Sequence, residues 1–219
     1  MQTFLKQKGD FRSLIVYQKA ECIYDITYYF VHHFLNKGDR TVDQMVQAAR
    51  SGKQNIAEGC AASTTSRETE IKLVNVAKAS LQELLLDYED YLRVNGLEQW
   101  SYYDSRSQQM RLVGRKHSDS AFYRKALPER SPETIANIAI TLIHQTDYLL
   151  RNLIEKLKGD FLRQGGIREE MTRARTAYRL KAARAARADG TTGANEANGT
   201  YGAARTNKAN GDQQPQQTQ

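Results

Sequence analysis

Apolar and small residues return every three or four positions through most of the chain, the period of one face of an α-helix. Over 11–35 the apolar positions are Phe11, Ile15, Cys22, Ile26, Phe30 and Phe34, interleaved with Gln18, Lys19, Glu21 and Asp25. This predicts a long amphipathic helix. Asn36-Lys37-Gly38-Asp39 ends it, with Gly38 as C-cap and Asp39 or Thr41 capping the next helix. Within that second helix, predicted over 41–62, Met45, Ala49, Gly52, Ile56 and Gly59 advance along one narrow face. Two interior glycines each cost about 1 kcal/mol relative to alanine, and the compensation expected is close approach of another backbone. Ala49, Gly52, Asn55, Ile56, Glu58 and Gly59 are therefore the expected packing and oligomer seam. Asn55 and Glu58, three residues apart, are expected to be buried structural polar groups.

Ser66-Arg67-Glu68-Thr69-Glu70 supplies a capping hydroxyl and first-turn carboxylates for a third helix. It carries Ile71, Val74, Ala77, Leu81, Leu84, Leu85, Tyr88 and Leu92 on one face and stops at Asn95-Gly96. The segment 97–130 is less regular, with 103–116 a candidate short helix bearing Met110 and Leu112. Ser131-Pro132-Glu133 starts a fourth long helix, over 132–163, expected to bury Ile135, Ile138, Leu142, Leu149, Leu153, Leu157 and Phe161. After Gly165-Gly166, 167–188 forms a helical pattern with a thin stripe of Ile167, Met171, Ala174, Tyr178 and Ala185. The last segment, 189–219, contains no Leu, Ile, Val, Phe, Met or Trp; it lacks the apolar surface to offset ordering entropy, and a disordered tail is expected.

The fold class predicted is all-α: an antiparallel up-down four-helix bundle over 11–163, carrying an irregular basic insertion at 97–130. A flexible N-terminus at 1–10, a basic amphipathic suffix helix at 164–188 and the tail complete the chain. Only three prolines among 219 residues fit that class. The cysteines, Cys22 and Cys60, have no pairing or metal-binding spacing, so reduced thiols are expected. The first ten residues have no apolar run to serve as a signal peptide, and no stretch reaches the roughly 20 apolar residues of a membrane span. No membrane association and a cytoplasmic location are the resulting expectations.

Charge changes the picture more than composition does. The formal net charge is +7, concentrated in two places. Residues 161–219 hold ten Lys/Arg against five Asp/Glu, and 100–130 hold seven against three. Segregation of this kind points to an anionic partner, RNA or DNA first. The candidate nucleic-acid contacts are Arg106, Arg111, Arg115, Lys116, Arg124 and Lys125 in the insertion. In the suffix they are Arg168, Arg173, Arg175, Arg179, Lys181, Arg184 and Arg187. Trp100, Tyr102, Tyr103, Phe122, Tyr123 and Tyr178 can add stacking on unpaired bases. The competing reading is that the arginines solubilise an exposed helix while the aromatics pack on the bundle.

Catalytic and metal chemistry is not indicated. His32 and His33 are adjacent and diverge around a helix, and His117 and His144 stand apart, so no ligand set and no cofactor is expected. Asp87, Glu89 and Asp90 diverge around the axis and read as a solvated acidic face. No nucleophile or base accompanies a carboxylate, and Gly165-Gly166 lacks the Lys-Ser/Thr of a phosphate loop. A non-enzyme is expected.

Three blocks carry a resemblance. Phe11-Arg12-Ser13-Leu14-Ile15-Val16-Tyr17-Gln18-Lys19-Ala20, Asn55-Ile56-Ala57-Glu58-Gly59, and Ser66…Glu70-Ile71…Ala79-Ser80-Leu81-Gln82-Glu83-Leu84 occur in the order seen in a bacterial four-helix-bundle family. That family includes the ribosomal-RNA intervening-sequence protein and the accessory variability determinant of diversity-generating retroelements. The resemblance covers about 11–160, and 165–175 is similar to the basic suffix of a subgroup. It implies a non-enzymatic bundle, homo-oligomeric and pentameric in the retroelement member, whose partners are a reverse transcriptase and its RNA. The chain departs from the pattern at Gln47-Ala48-Ala49-Arg50-Ser51-Gly52-Lys53, where the family's proline is missing and a straighter helix follows, and in the insertion at 97–130.

Overall fold

A computed structural model describes residues 10–192, with the backbone alone for 188–192. Among the described residues the chain is all-helical and contains no strand. The long helices are α1 (Ile15–Phe34), α2 (Arg40–Ala62) and α3 (Arg67–Val94). Two shorter ones, α4 (Ser105–Lys116) and α5 (Ser120–Ala126), precede α6 (Pro132–Gln164) and α7 (Ile167–Thr192). Side chains cap the starts as the sequence dictates. Asp39 accepts from Thr41 N, Ser66 from Thr69 N, and Ser131 from Thr134 N with Pro132 in the first turn.

Each long helix up to α6 packs on two others: α2 on α3, α3 on α6, and α1 on both α2 and α6. The core lies among them, with Phe30, Ile23, Ile26, Met45, Ile56, Leu81, Leu84, Tyr88, Ile135 and Leu142 fully buried. Tyr88 buries its ring against Phe30, centroids 5.1 Å apart, and its hydroxyl donates to Thr27 Oγ1 at 3.0 Å. α4 packs on α6 and α5 on α1. Contacts divide the chain into a compact unit up to Ala174 and a second beginning at Arg175, within α7.

Several expectations are corrected. The insertion is not irregular, because Asp104 and Asp119 cap two helices within it. Residues 189–192, expected in the tail, continue α7 to Thr192; extending a formed helix costs far less than nucleating one. The tail beyond Thr192 and the N-terminus before Asp10 lie outside the described residues, while Asp10 itself caps a short 3-10 turn, Phe11–Ser13. On α1, Ile15 is exposed and Lys19, expected in water, is 3% exposed. On α6 the buried apolar side chains include Ile135, Ala139, Leu142, Ile143, Leu150 and Ile154, whereas Ile138, Leu149, Leu153, Leu157 and Phe161 are half-buried. Helix α6 is contacted by α1, α3 and α4, so its buried stripe is broader than one row and is displaced from the predicted one.

On α2 the small-residue face is turned inward. Ala49, Gly52, Ile56 and Gly59 are buried. A Cβ placed on Gly52 would lie 2.7 Å from Leu81 Cδ2 and 2.8 Å from Leu81 Cγ, so it is a side chain of α3 that fills this space, while the nearest backbone atom, Ala77 O, stands at an ordinary 3.6 Å. Gly59 is looser, its nearest neighbours at 3.4 Å. Glu58 is exposed, and Asn55 is half-buried, donating to Ser51 O at 2.9 Å. The expected buried pair is absent because Asn55 bonds one turn back along its own helix instead.

Cys22 and Cys60 are buried and not disulfide-bonded. Burial pushes the Cys22 thiol up to about 12. An acid held protonated in the fold stabilises it below the thiol's ordinary pKa and loses that contribution as pH rises towards the folded value. Stability is therefore expected to fall between pH about 9 and about 12, and Cys22→Ala should flatten that fall in denaturant titrations. Tyr88 and Tyr123, whose hydroxyls burial also pushes up, act in the same direction and leave a residual slope.

Candidate nucleic-acid interface

The insertion is held from beneath by polar groups of the long helices. On α1 the ammonium of Lys19 donates to the Gly114 carbonyl and, at 2.6 Å, to that of His117. These oxygens sit at the C-terminal end of α4, where carbonyls lack helical partners and a cation is favoured. Burial lowers the Lys19 pKa. Six residues on, Asp25 accepts from Ser120 Oγ at the start of α5 and pairs with Arg124 at 3.5 Å. On α6, Gln145 Nε2 donates to Arg111 O at 2.8 Å with its side chain hard against Gly114. Asn137 accepts from Trp100 N at 2.8 Å and donates to Glu98 O at 2.8 Å.

This framework sorts the predicted cations. Arg106 is consumed internally: it pairs with Asp104 at 2.6 Å and Glu98 at 2.9 Å, and lies over the Trp100 ring. Arg111 donates to Ser107 Oγ at 2.9 Å and Tyr102 O at 2.8 Å, with its guanidinium 4.1 Å from the Tyr102 centroid. In both, short-range partners already hold the guanidinium group. Arg115, Lys116 and Lys125 are exposed, and no hydrogen bond or ion pair engages them among the described residues. Arg130, which the sequence did not single out, is exposed in the same way.

In the first turns of α7 Arg168 is exposed and Arg173 donates to Gln164 O. Further along, Arg175, Arg179, Lys181, Arg184 and Arg187 are exposed. Arg175, Arg179, Lys181 and Arg184 make no hydrogen bond or ion pair among the described residues. Met171, Tyr178 and Leu180 are exposed as well.

The aromatic residues divide similarly. Trp100 is half-buried and Tyr123 buried, so both serve packing. Tyr102 and Tyr103 are largely exposed and meet edge to face at 5.2 Å. His117 and Phe122 stack with ring centroids 3.8 Å apart and planes 1° from parallel. No family model, curated protein or solved structure matches the chain.

Sequence reasoning missed Lys19 as the anchor of this region. The signal was present: Lys19 falls between Val16 and Ile23 at the three- and four-residue spacing of the buried face. Gly114 was missed too, although a glycine inside α4 invites the same close-approach argument as Gly52. The described residues contain no cluster of three or more His, Cys, Asp or Glu side chains able to hold a metal ion, and no helix long and apolar enough to cross a membrane.

Proposed function

We propose that the chain is a non-enzymatic, homo-oligomeric adaptor that binds RNA or DNA. In this reading α1, α2, α3 and α6 form an antiparallel up-down four-helix bundle and α7 is a basic arm. The short connections at 35–39 and 63–66 and the pairwise packing of these helices support the bundle. The observation that carries the function is on α7: Arg175, Arg179, Lys181 and Arg184 are exposed with no acidic partner among the described residues. Cations left without protein counter-charges can neutralise phosphates and release condensed counterions. The resemblance to retroelement accessory proteins adds a reverse transcriptase as protein partner and a pentamer as assembly. A reverse-transcriptase gene beside this one is the observation that tests that partner.

Binding of labelled RNA and DNA to the full chain and to R175Q/R179Q/K181Q/R184Q, at about 50 and 200 mM salt, tests the reading. The full chain should bind in both arms and weaken steeply with salt. The variant should bind more weakly, with the log–log salt slope shallower by up to about 3. Equal affinity and slope for the two proteins, or negligible binding by the full chain at low salt, would overturn it.

The exposed Met171, Tyr178 and Leu180 favour a second reading, a protein-binding scaffold in which α7 lays its apolar stripe on another subunit. A chain ending at Gln164 would then lose oligomer mass in light scattering while keeping whatever nucleic-acid affinity it had.

A further inference from the structure

The connection between α4 and α5, residues 117–119, is fixed with unusual completeness for an exposed loop. His117 N donates to Val113 O at 2.9 Å, while His117 O accepts from Lys19 Nζ at 2.6 Å and from Tyr123 Oη at 3.0 Å. Both of those donors are buried. Asp119 closes the loop by accepting from Ala121 N at 3.1 Å, and Ser120 Oγ donates to Asp25. The backbone of His117 is thus immobilised from inside the molecule, and its imidazole lies flat against Phe122.

Phe122 is not explained by packing. It retains 40% of its surface and does not join the hydrophobic core, unlike its neighbour Tyr123, which is 4% exposed. An aromatic ring left open in this way carries a transfer cost unless something covers it. Around it in sequence stand Arg115, Lys116 and Lys125, without partners among the described residues. The nearby carboxylate of Asp25 is paired with Arg124, while Asp119 makes no ion pair among the described residues.

We propose that His117 and Phe122 form the base-stacking platform of a single-stranded nucleic-acid site, with Arg115, Lys116 and Lys125 taking the flanking phosphates. The inference rests on the nucleic-acid reading above and places a second contact on the insertion, independent of α7. Single strands are specified because in a duplex the base faces are already stacked, whereas an unpaired base offers a face to an aromatic ring. Rings held before binding reduce the ordering cost of adding a base to the stack.

The test uses the full chain with oligo-U and oligo-dT of about ten nucleotides, and a blunt DNA duplex as the comparison. Phe122→Ala is expected to weaken single-strand binding about tenfold or more, with duplex affinity and the salt slope unchanged. Phe122→Trp should retain or improve single-strand binding, and R115Q/K116Q/K125Q should make its salt slope shallower. The oligo-U and oligo-dT arms assign the sugar: a preference for oligo-U makes the ligand RNA, and equal affinities leave the site indifferent to the sugar. Melting curves check that each variant is folded. If the full chain binds oligonucleotides and folded Phe122→Ala binds them equally well, or loses duplex affinity in parallel, the platform is wrong while the nucleic-acid reading stands. If the full chain binds no nucleic acid at low salt, both fail.

Discussion

Gly52→Leu is expected to destabilise the protein by about 3 kcal/mol, even after the gain of up to about 1 kcal/mol in helix propensity that follows removal of a glycine. The Cβ alone would sit 2.7 Å and 2.8 Å from two carbons of Leu81, with the Ala77 carbonyl 3.6 Å away. Leu81 is fully buried, so its side chain can yield only by displacing other core groups. The remaining leucine atoms must then force α2 and α3 apart along their most extensive contact. For a chain of this size the loss corresponds to a melting temperature lower by roughly 6 to 12 °C, readable by circular dichroism. Gly59→Ala serves as the control: its nearest neighbours lie at an ordinary 3.4 Å, so melting should hold or rise by up to roughly 4 °C with the gain in helix propensity. A Gly52→Leu protein melting like the wild type would remove the close-approach account of this helix.

Lys19→Met is expected to cost about 2 to 3 kcal/mol, and to cost it locally. Methionine fills much of the volume but offers the carbonyls of Gly114 and His117 nothing, leaving the first without the ammonium that now reaches it. The second keeps the Tyr123 hydroxyl at 3.0 Å. The cost is tempered because burying the ammonium is itself unfavourable, as its lowered pKa records. Hydrogen exchange distinguishes this outcome from general destabilisation. Amides of α4 and α5 should lose protection well before those of α2 and α3. Uniform loss along the chain would mean that Lys19 supports the core rather than the insertion.

The contrast between these two residues explains what the sequence revealed. Helical extents were legible where period, caps and breakers agreed: Ser66 and Ser131 each cap the helix they were expected to cap, and of Asp39 and Thr41 it is Asp39 that caps α2. Gly52 was legible because an interior glycine has an unfavourable propensity that needs a cause. Lys19 was not, because a lysine on an amphipathic helix is ordinarily counted with the polar face. Its register beside Val16 and Ile23 was visible locally, but the pair of carbonyls that lets its ammonium stay buried lies 95 and 98 residues away, beyond any local window. The candidate interface divided on the same line. Clustered positive charge was visible in the composition, but whether a given arginine is available depends on its neighbours in space. Arg106 and Arg111 are occupied by partners only two to nine residues distant. Arg115 and Lys116 are exposed at the end of the same helix. Glu58 went the other way: its spacing from Asn55 suggested a buried polar pair, and the register of α2 turns it to solvent.

The grip on Gly114 also governs how this part of the chain can evolve. Gln145 reaches Arg111 O while Lys19 reaches Gly114 O, so α4 is read at two rungs by two different helices. One residue added or lost between those rungs would turn everything after it by about 100° and carry the Gly114 carbonyl away from Lys19. A one-residue insertion in α4 between Arg111 and Gly114 should therefore cost more stability than one in the exposed stretch at 128–130, just before the cap of α6.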